Sequence, residues 1–443
     1  MQQSMSQRSF LKRNIVFLAS ILFISLFLGS TQIPAKEPVY AQSTGTLLTI
    51  IADDLQAEDW YGYSIVNEGQ TIVISARYGD GETVDSGAVY VFENNRRLGW
   101  IQTAKLTAED GDSQDSYGSS VAIDGNILVV GAYKDNYTGT GSGSVYVYEK
   151  TGRGQSATWD QVGHFAGSNT KAVDQFGVDV AIDNGTIAVG ALLNDAAGLD
   201  AGIVYLFQHD GNDWEEVAKL LATDTTAGDR FGRTIVIDGT TLAVAAVYND
   251  DHGSKSGSAY IFEQDPINPK QWHEVTKLTA SDAQAEDQFG NSLDLDRSVL
   301  VVGARYGDSE AIDSGAAYVY QQTSTTSWEE VAKLVAPEPA ANASFGWDTA
   351  VYGNHILVGA PDHPNADFTK TGAVYLYHRD EGGADKWGLV NTFTSPNPGY
   401  WDGFGFEVEI GQYNALIGSL NDDDIATDAG MAYLYPLDHS SSR

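Results

Sequence analysis

The chain has 443 residues, with 60 acidic against 25 basic side chains and no cysteine. Without cysteine there is no disulfide framework, thiolate metal site, cysteine nucleophile or lipidated-cysteine anchor. A formal charge of −35 repels nucleic acid and anionic lipid, and it favours solubility, divalent cations or basic partners.

The N-terminus reads as a secretory signal peptide over residues 1–41. Arg8, Lys12 and Arg13 form a basic region. The apolar run 15–28 follows, too short for an ordinary membrane span. Val39-Tyr40-Ala41 then supplies a small-residue cleavage signal. Removing this segment takes away one acid and four bases, which leaves −38. No second such run follows, so the mature chain is expected to have no membrane span. It is expected to be a secreted protein, extracellular or periplasmic, once cut near Ala41. Residues 42–438 are expected to form one domain, with 439–443 as a short tail.

Beyond this segment an aromatic-glycine pair recurs seven times: Tyr61-Gly62, Tyr117-Gly118, Phe176-Gly177, Phe231-Gly232, Phe289-Gly290, Phe345-Gly346 and Phe404-Gly405. Each pair opens a unit of four short runs rich in Val, Ile and Tyr and bounded by Gly, Asp and Asn, which is strand chemistry. In the second unit the runs are YGSSVAI (117–123), ILVVGA (127–132), GSVYVYE (143–149) and a stretch from Trp159 to Phe165. Asp124-Gly125, like Asp238-Gly239, marks a tight hairpin between runs one and two. Seven units of four strands predict an all-β, seven-bladed β-propeller. The last unit stops after three runs, while TLLTIIADDLQAEDWYG (46–62) aligns with the end of a fourth run. The N-terminal strand 46–52 is therefore expected to complete the last blade and close the ring.

These units resemble FG-GAP repeats, the blade motif of the integrin α-subunit head and of many bacterial secreted proteins. The resemblance rests on second runs ending at Gly131-Ala132, Gly190-Ala191, Gly303-Ala304 and Gly359-Ala360, the last continued by Pro361. It rests equally on the G-x-[VA]-Y motif that begins at Gly87, Gly143, Gly202, Gly257, Gly315, Gly372 and Gly430. The resemblance implies a ligand-binding propeller. Integrin-type repeats often carry a calcium loop between strands one and two. Here that connector is only a short turn, so those calcium sites are not carried over.

Antiparallel topology puts the loop leading into strand one and the loop joining strands two and three on one face. These loops hold 33 of the 59 mature acids, beside about seven bases that include Lys134, Lys255 and Lys370. Four of the 2–3 loops carry an Asp pair five residues apart: Asp80/Asp85, Asp195/Asp200, Asp308/Asp313 and Asp423/Asp428. They are candidate sites for weak divalent-cation binding, calcium in particular; the alternative is that Asp caps its own turn. A further Asp stands two residues before the aromatic in six units, at 59, 115, 174, 229, 287 and 402. Its regular placement predicts a turn that anchors the first strand.

Aromatics that depart from the repeat are candidate ligand contacts. Trp60, Tyr400 and Trp401 lie in the leading loops of units one and seven, and Tyr63, Trp347 and Phe406 stand two residues past the repeat aromatic. Units six, seven and one are neighbours in a closed ring, so these six are expected to form an arc at the acidic mouth, where rings stack on sugars or peptide side chains. The alternative is packing around the closure seam. The eight histidines show no ligand spacing, and no catalytic motif is present. The expected function is binding rather than catalysis: an adhesion or interaction propeller for an extracellular protein or glycan, expected to be a monomer. A lectin, or a hydrolase or lyase with a central-channel site, are the alternatives.

Overall fold

A computed structural model describes residues 47–152, 156–365 and 369–437. The proposed signal peptide and the 439–443 tail lie outside the described residues. The described chain forms 28 strands, β1 to β28, in seven four-stranded sheets. A short β1 (Leu48–Ile50) is followed by the first blade: β2 (Tyr61–Glu68), β3 (Thr71–Ala76), β4 (Ala88–Asn95) and β5 (Gly99–Leu106), hydrogen-bonded in that order. Every later blade repeats the pattern up to β26 (Phe404–Ile410), β27 (Asn414–Ser419) and β28 (Met431–Pro436). None of the described helical turns is long and apolar enough to cross a membrane.

The burial pattern explains the composition of the runs. Second and third strands lie between neighbouring blades, so both faces are covered and nearly every residue is buried. They therefore read as continuous apolar runs rather than alternating ones. Each hydrophobic cluster spans two blades, as where Val73, Val89 and Val91 pack against Tyr117, Val121 and Tyr146. The repeat aromatics are wholly buried. They meet the third-strand tyrosines edge to face, with Phe231 and Tyr260 centred 5.7 Å apart and Phe289 and Tyr318 5.6 Å apart.

Blades join through backbone. The N–H of each repeat aromatic bonds the carbonyl just before the third-strand glycine of the preceding blade, as in Phe231 to Ala201 (2.9 Å) and Phe289 to Ser256 (3.0 Å). The last seam uses the same bond, Tyr61 to Ala429 at 2.8 Å. There β1 pairs with β28 in the register Leu48–Leu434, Thr49–Tyr433 and Ile50–Ala432. The N-terminal strand thus completes the last blade, as its alignment predicts, and Ile50 and Ala52 join a cluster with Leu416, Ala432 and Leu434.

At this seam only glycine fits. A Cβ on Gly257, at φ +83, would stand 2.1 Å from the Phe289 carbonyl oxygen. Gly239 has a similar φ of +61 but open space around it. Gly239→Ala should therefore cost about 1 kcal/mol of backbone strain. Gly257→Ala should cost more than about 4 kcal/mol or prevent folding, because backbone must move. Urea denaturation of both variants checks this; equal losses would overturn the close-approach account.

Candidate functional site

The seven innermost strands line a central channel: β2, β6 (Tyr117–Asp124), β10 (Phe176–Asp183), β14 (Phe231–Asp238), β18 (Phe289–Asp296), β22 (Thr349–Tyr352) and β26. A cavity of about 400 Å³ occupies its mouth on the loop face. Another, of about 560 Å³, occupies the opposite end.

The inner strands need side chains to hold neighbouring blades together. In most of them the register with strand two shifts between the aromatic and the residues that follow, as between Phe176 and Val180. That shift frees a backbone N–H, which requires an acceptor. The fourth residue of the preceding inner strand supplies it in several blades. Val121 N–H donates to Ser64 Oγ (3.2 Å), Val180 to Ser120 Oγ (3.1 Å), Ile235 to Asp179 Oδ2 (2.7 Å) and Val408 to Asp348 Oδ2 (2.7 Å). Asp294, two residues further along its strand, accepts the Val351 N–H at 2.5 Å. Glu407 occupies this fourth position in the last blade, at the closing seam, and lines the mouth cavity. Among the described residues its carboxyl group has no hydrogen-bond partner.

Five carboxyl groups thus face the channel, all of them part-buried. Burial pushes Asp294 and Asp348 up to about 7, and neighbouring carboxylates add to the rise. Burial raises Asp179 too. Glu407 and Glu409 are raised well above the usual carboxylate range, by burial first and by the adjacent acids second. Both glutamates keep some water contact because the channel is open, but the surrounding protein dominates.

The aromatic prediction divides in two. Trp60, Tyr63, Phe406 and Trp347 form a continuous row, with successive ring centroids 6.5, 5.6 and 5.2 Å apart. Tyr63, Phe406 and Trp347 line the mouth cavity itself. Tyr400 and Trp401 form a separate outer pair 5.9 Å apart, 71% and 48% exposed, with Lys370 Nζ 5.0 Å above the Trp401 ring. Among the described residues no ring contact joins that pair to the row.

Each 2–3 loop Asp pair forms a closed turn. Oδ1 of the first Asp accepts the backbone N–H of the second: 3.2 Å in Asp80/Asp85, 3.0 Å in Asp195/Asp200, 2.9 Å in Asp308/Asp313 and 2.7 Å in Asp423/Asp428. Asp250 does the same for Lys255 at 2.7 Å. The second residue sits in the left-handed region, φ 49 to 58 for Asp and 51 for Lys255. The repeat thus constrains backbone conformation there, which is why Lys can replace Asp. Among the described residues no three His, Cys, Asp or Glu converge as a metal site. The Asp two before each aromatic accepts a backbone N–H from three residues earlier, as in Gln56 to Asp59 (2.7 Å) and Thr226 to Asp229 (2.8 Å). These residues anchor the leading loops as expected.

Sequence reasoning missed the arginines. Arg77 and Arg305 directly follow the second strands of blades one and five, and Arg233 is the third residue of β14. Arg233, Arg305 and Lys134 line the mouth cavity. Arg77 stands behind it, donating to the Tyr63 hydroxyl (2.9 Å) and to that of Tyr133. Four bases at one mouth of so acidic a chain was the available signal.

Seven four-stranded blades close into a β-propeller around a channel with a lined cavity at its mouth. The FG-GAP repeat model matches residues 47–92, 100–148, 159–207, 214–262, 272–320 and 328–377, and the chain belongs to the FG-GAP repeat family. No curated protein matches it. Each matched stretch runs from an outer strand through the first three strands of the next blade. The matches end before the unit that carries Tyr400, Trp401, Phe406, Glu407 and Glu409.

The channel acids set a pH dependence. Their folded proton affinities exceed the unfolded ones, so the native state holds more protons between about pH 4 and 7. Stability from these groups is present below the unfolded values and lost as pH rises through the folded ones. The melting temperature should therefore fall from about pH 5 to pH 8. Asp348→Asn, whose amide oxygen can still accept the Val408 N–H, should flatten that fall; an unchanged slope would remove Asp348 as a cause.

Proposed function

We propose that this protein is an exported binding propeller whose ligand sits at the channel mouth on the loop face, and that the ligand is a glycan. The observation that carries this reading is the run of Tyr63, Phe406 and Trp347 along a cavity of about 400 Å³, continued outward by Trp60 and beside the unpartnered Glu407. Neighbouring aromatic rings and a few converging polar groups in a preformed pocket suit a sugar ring and its hydroxyls. The outer Tyr400–Trp401 pair would extend the contact. A glycan array is expected to show binding by the mature chain and loss of it in Trp347→Ala. Trp401→Ala should weaken binding while changing stability by no more than about 0.5 kcal/mol, as at other exposed positions. Binding that survives both substitutions would move the ligand elsewhere.

One observation favours a protein partner instead. Val84, Leu199 and Ile312 are exposed at corresponding tips of the 2–3 loops, each just before the left-handed Asp. They give the acidic face an apolar crown. Divalent-cation help forms the finer part of the reading. The second carboxylates, Asp85, Asp200, Asp313 and Asp428, are not used by the turns they close. Two carboxylates supply only part of a calcium shell, so waters would complete it and binding would be weak, on the order of millimolar. Calorimetry with calcium should then show heat and a raised melting temperature in that range; the absence of both would remove the metal.

A further inference from the structure

Acids outnumber bases 60 to 25, and most of the described lysines have a carboxylate neighbour. Lys105, Lys150, Lys255, Lys277, Lys333 and Lys370 each stand within ion-pair distance of an acid. The arginines at the channel mouth do not. Among the described residues the arginine ion pairs are Arg297–Asp296 and Arg379–Asp385, both away from the mouth cavity. Among the described residues Arg77, Arg230, Arg233, Arg305 and Lys134 have no carboxylate within ion-pair distance, which is also true of Arg96 and Arg97 on the other face.

At the mouth, aromatic faces hold all of these cations but Arg233 instead. The Arg305 guanidinium carbon is 4.7 Å from the ring centres of both Tyr306 and Trp347. Arg77 is 4.8 Å from Tyr63 and 5.1 Å from Tyr133, and Arg230 is 4.2 Å from Tyr248. Stacking fixes a guanidinium plane while leaving its edge donors available. Arg305 uses Nε on Gln288 at 3.0 Å, which leaves both terminal nitrogens for the cavity. Arg233 lines the same cavity with no hydrogen bond among the described residues. Burial holds the Arg305 guanidinium below its ordinary value, and the neighbouring Arg233 adds to the fall.

Asp179, Asp348 and Glu407 line the same cavity, and Arg233 is close enough to favour the charged forms of Asp179 and Glu407, but among the described residues no ion pair joins them to these bases. Asp179 and Asp348 each commit an oxygen to the next blade. Glu407 is favoured in its protonated form by burial, so it can donate to a hydroxyl or carboxylate oxygen.

We propose that the channel mouth is a seat for an organic anion, a ring compound bearing a carboxylate or sulfate, held by Arg233, Arg305 and Lys134 and stacked on the Tyr63–Phe406–Trp347 row. The inference rests on the glycan reading above and narrows it to acidic saccharides. It runs against the bias toward basic partners that the chain's overall charge sets.

The test is calorimetry of the mature chain with uronate and sulfated oligosaccharides, each beside its methyl-esterified or desulfated counterpart, and with citrate as an anion lacking a ring. The acidic sugars should bind, and loss of their charge should weaken binding by about tenfold or more, the range of charge-assisted hydrogen bonds. Arg233→Gln and Arg305→Gln should lose that preference. Arg96→Gln with Arg97→Gln, on the opposite face, should retain it. Citrate binding as tightly as the sugars would uphold the anion seat and discard the ring. Equal binding of charged and neutral sugars would overturn the anion inference and leave the glycan seat standing. Binding of neither sugar set nor citrate would overturn both.

Discussion

The ring depends on one contact made seven times: the backbone of a repeat aromatic laid against the glycine that opens the third strand of the blade before it. The aromatic N–H is bonded there, and its carbonyl occupies the space a side chain would need. Placing this contact at backbone level fixes the angle between sheets. The aromatic ring then fills the wedge behind it. The two most regular motifs of the sequence, aromatic-glycine and G-x-[VA]-Y, are the two halves of this joint. Closure adds no new chemistry, because Tyr61 and Gly430 make it across the chain ends.

The same geometry explains the polar channel. Blades meet closely at the seam but their inner strands do not pair as a continuous sheet. The N–H groups freed there must be satisfied by side chains from the neighbouring strand. Serine and aspartate both can do so, and the structure uses Ser64, Ser120, Asp179, Asp294 and Asp348. A charged acceptor makes the stronger bond but raises the cost of burial, which appears as a raised proton affinity. Glu407 carries that cost without the bond, which separates it from the structural acids.

The architecture was legible because it is local and repeated. Aromatic-glycine pairs, Asp-Gly turns and Trp-led outer strands each mark a fixed place in a blade, and the missing fourth strand of unit seven pointed to β1. The leading-loop Asp residues were legible for the same reason. The site was only partly legible. Tyr63, Trp347 and Phe406 stood out as departures from the repeat, and ring closure correctly made them neighbours. Tyr400 and Trp401 depart equally in sequence but lie outside the row, because their loop position is not that of Trp60. The channel arginines went unread because counting charge by loop treats a face as one surface. A mouth lined by the starts of seven strands has its own balance, set by single residues at positions where other blades carry Ser, Val or Asn.

The joint between β1 and β28 also fixes an order of events. Those strands lie at opposite ends of the described chain, and Leu48 finds Leu434 only after every intervening blade exists. Until then the apolar edge of β1 has no partner, and the first and last blades each present an unpaired flank. Blades one to six can assemble as they emerge, each against the one before. The channel mouth cannot, since Tyr63 meets Phe406 only across the final seam. The mouth cavity is therefore complete only once the last blade has closed onto the first.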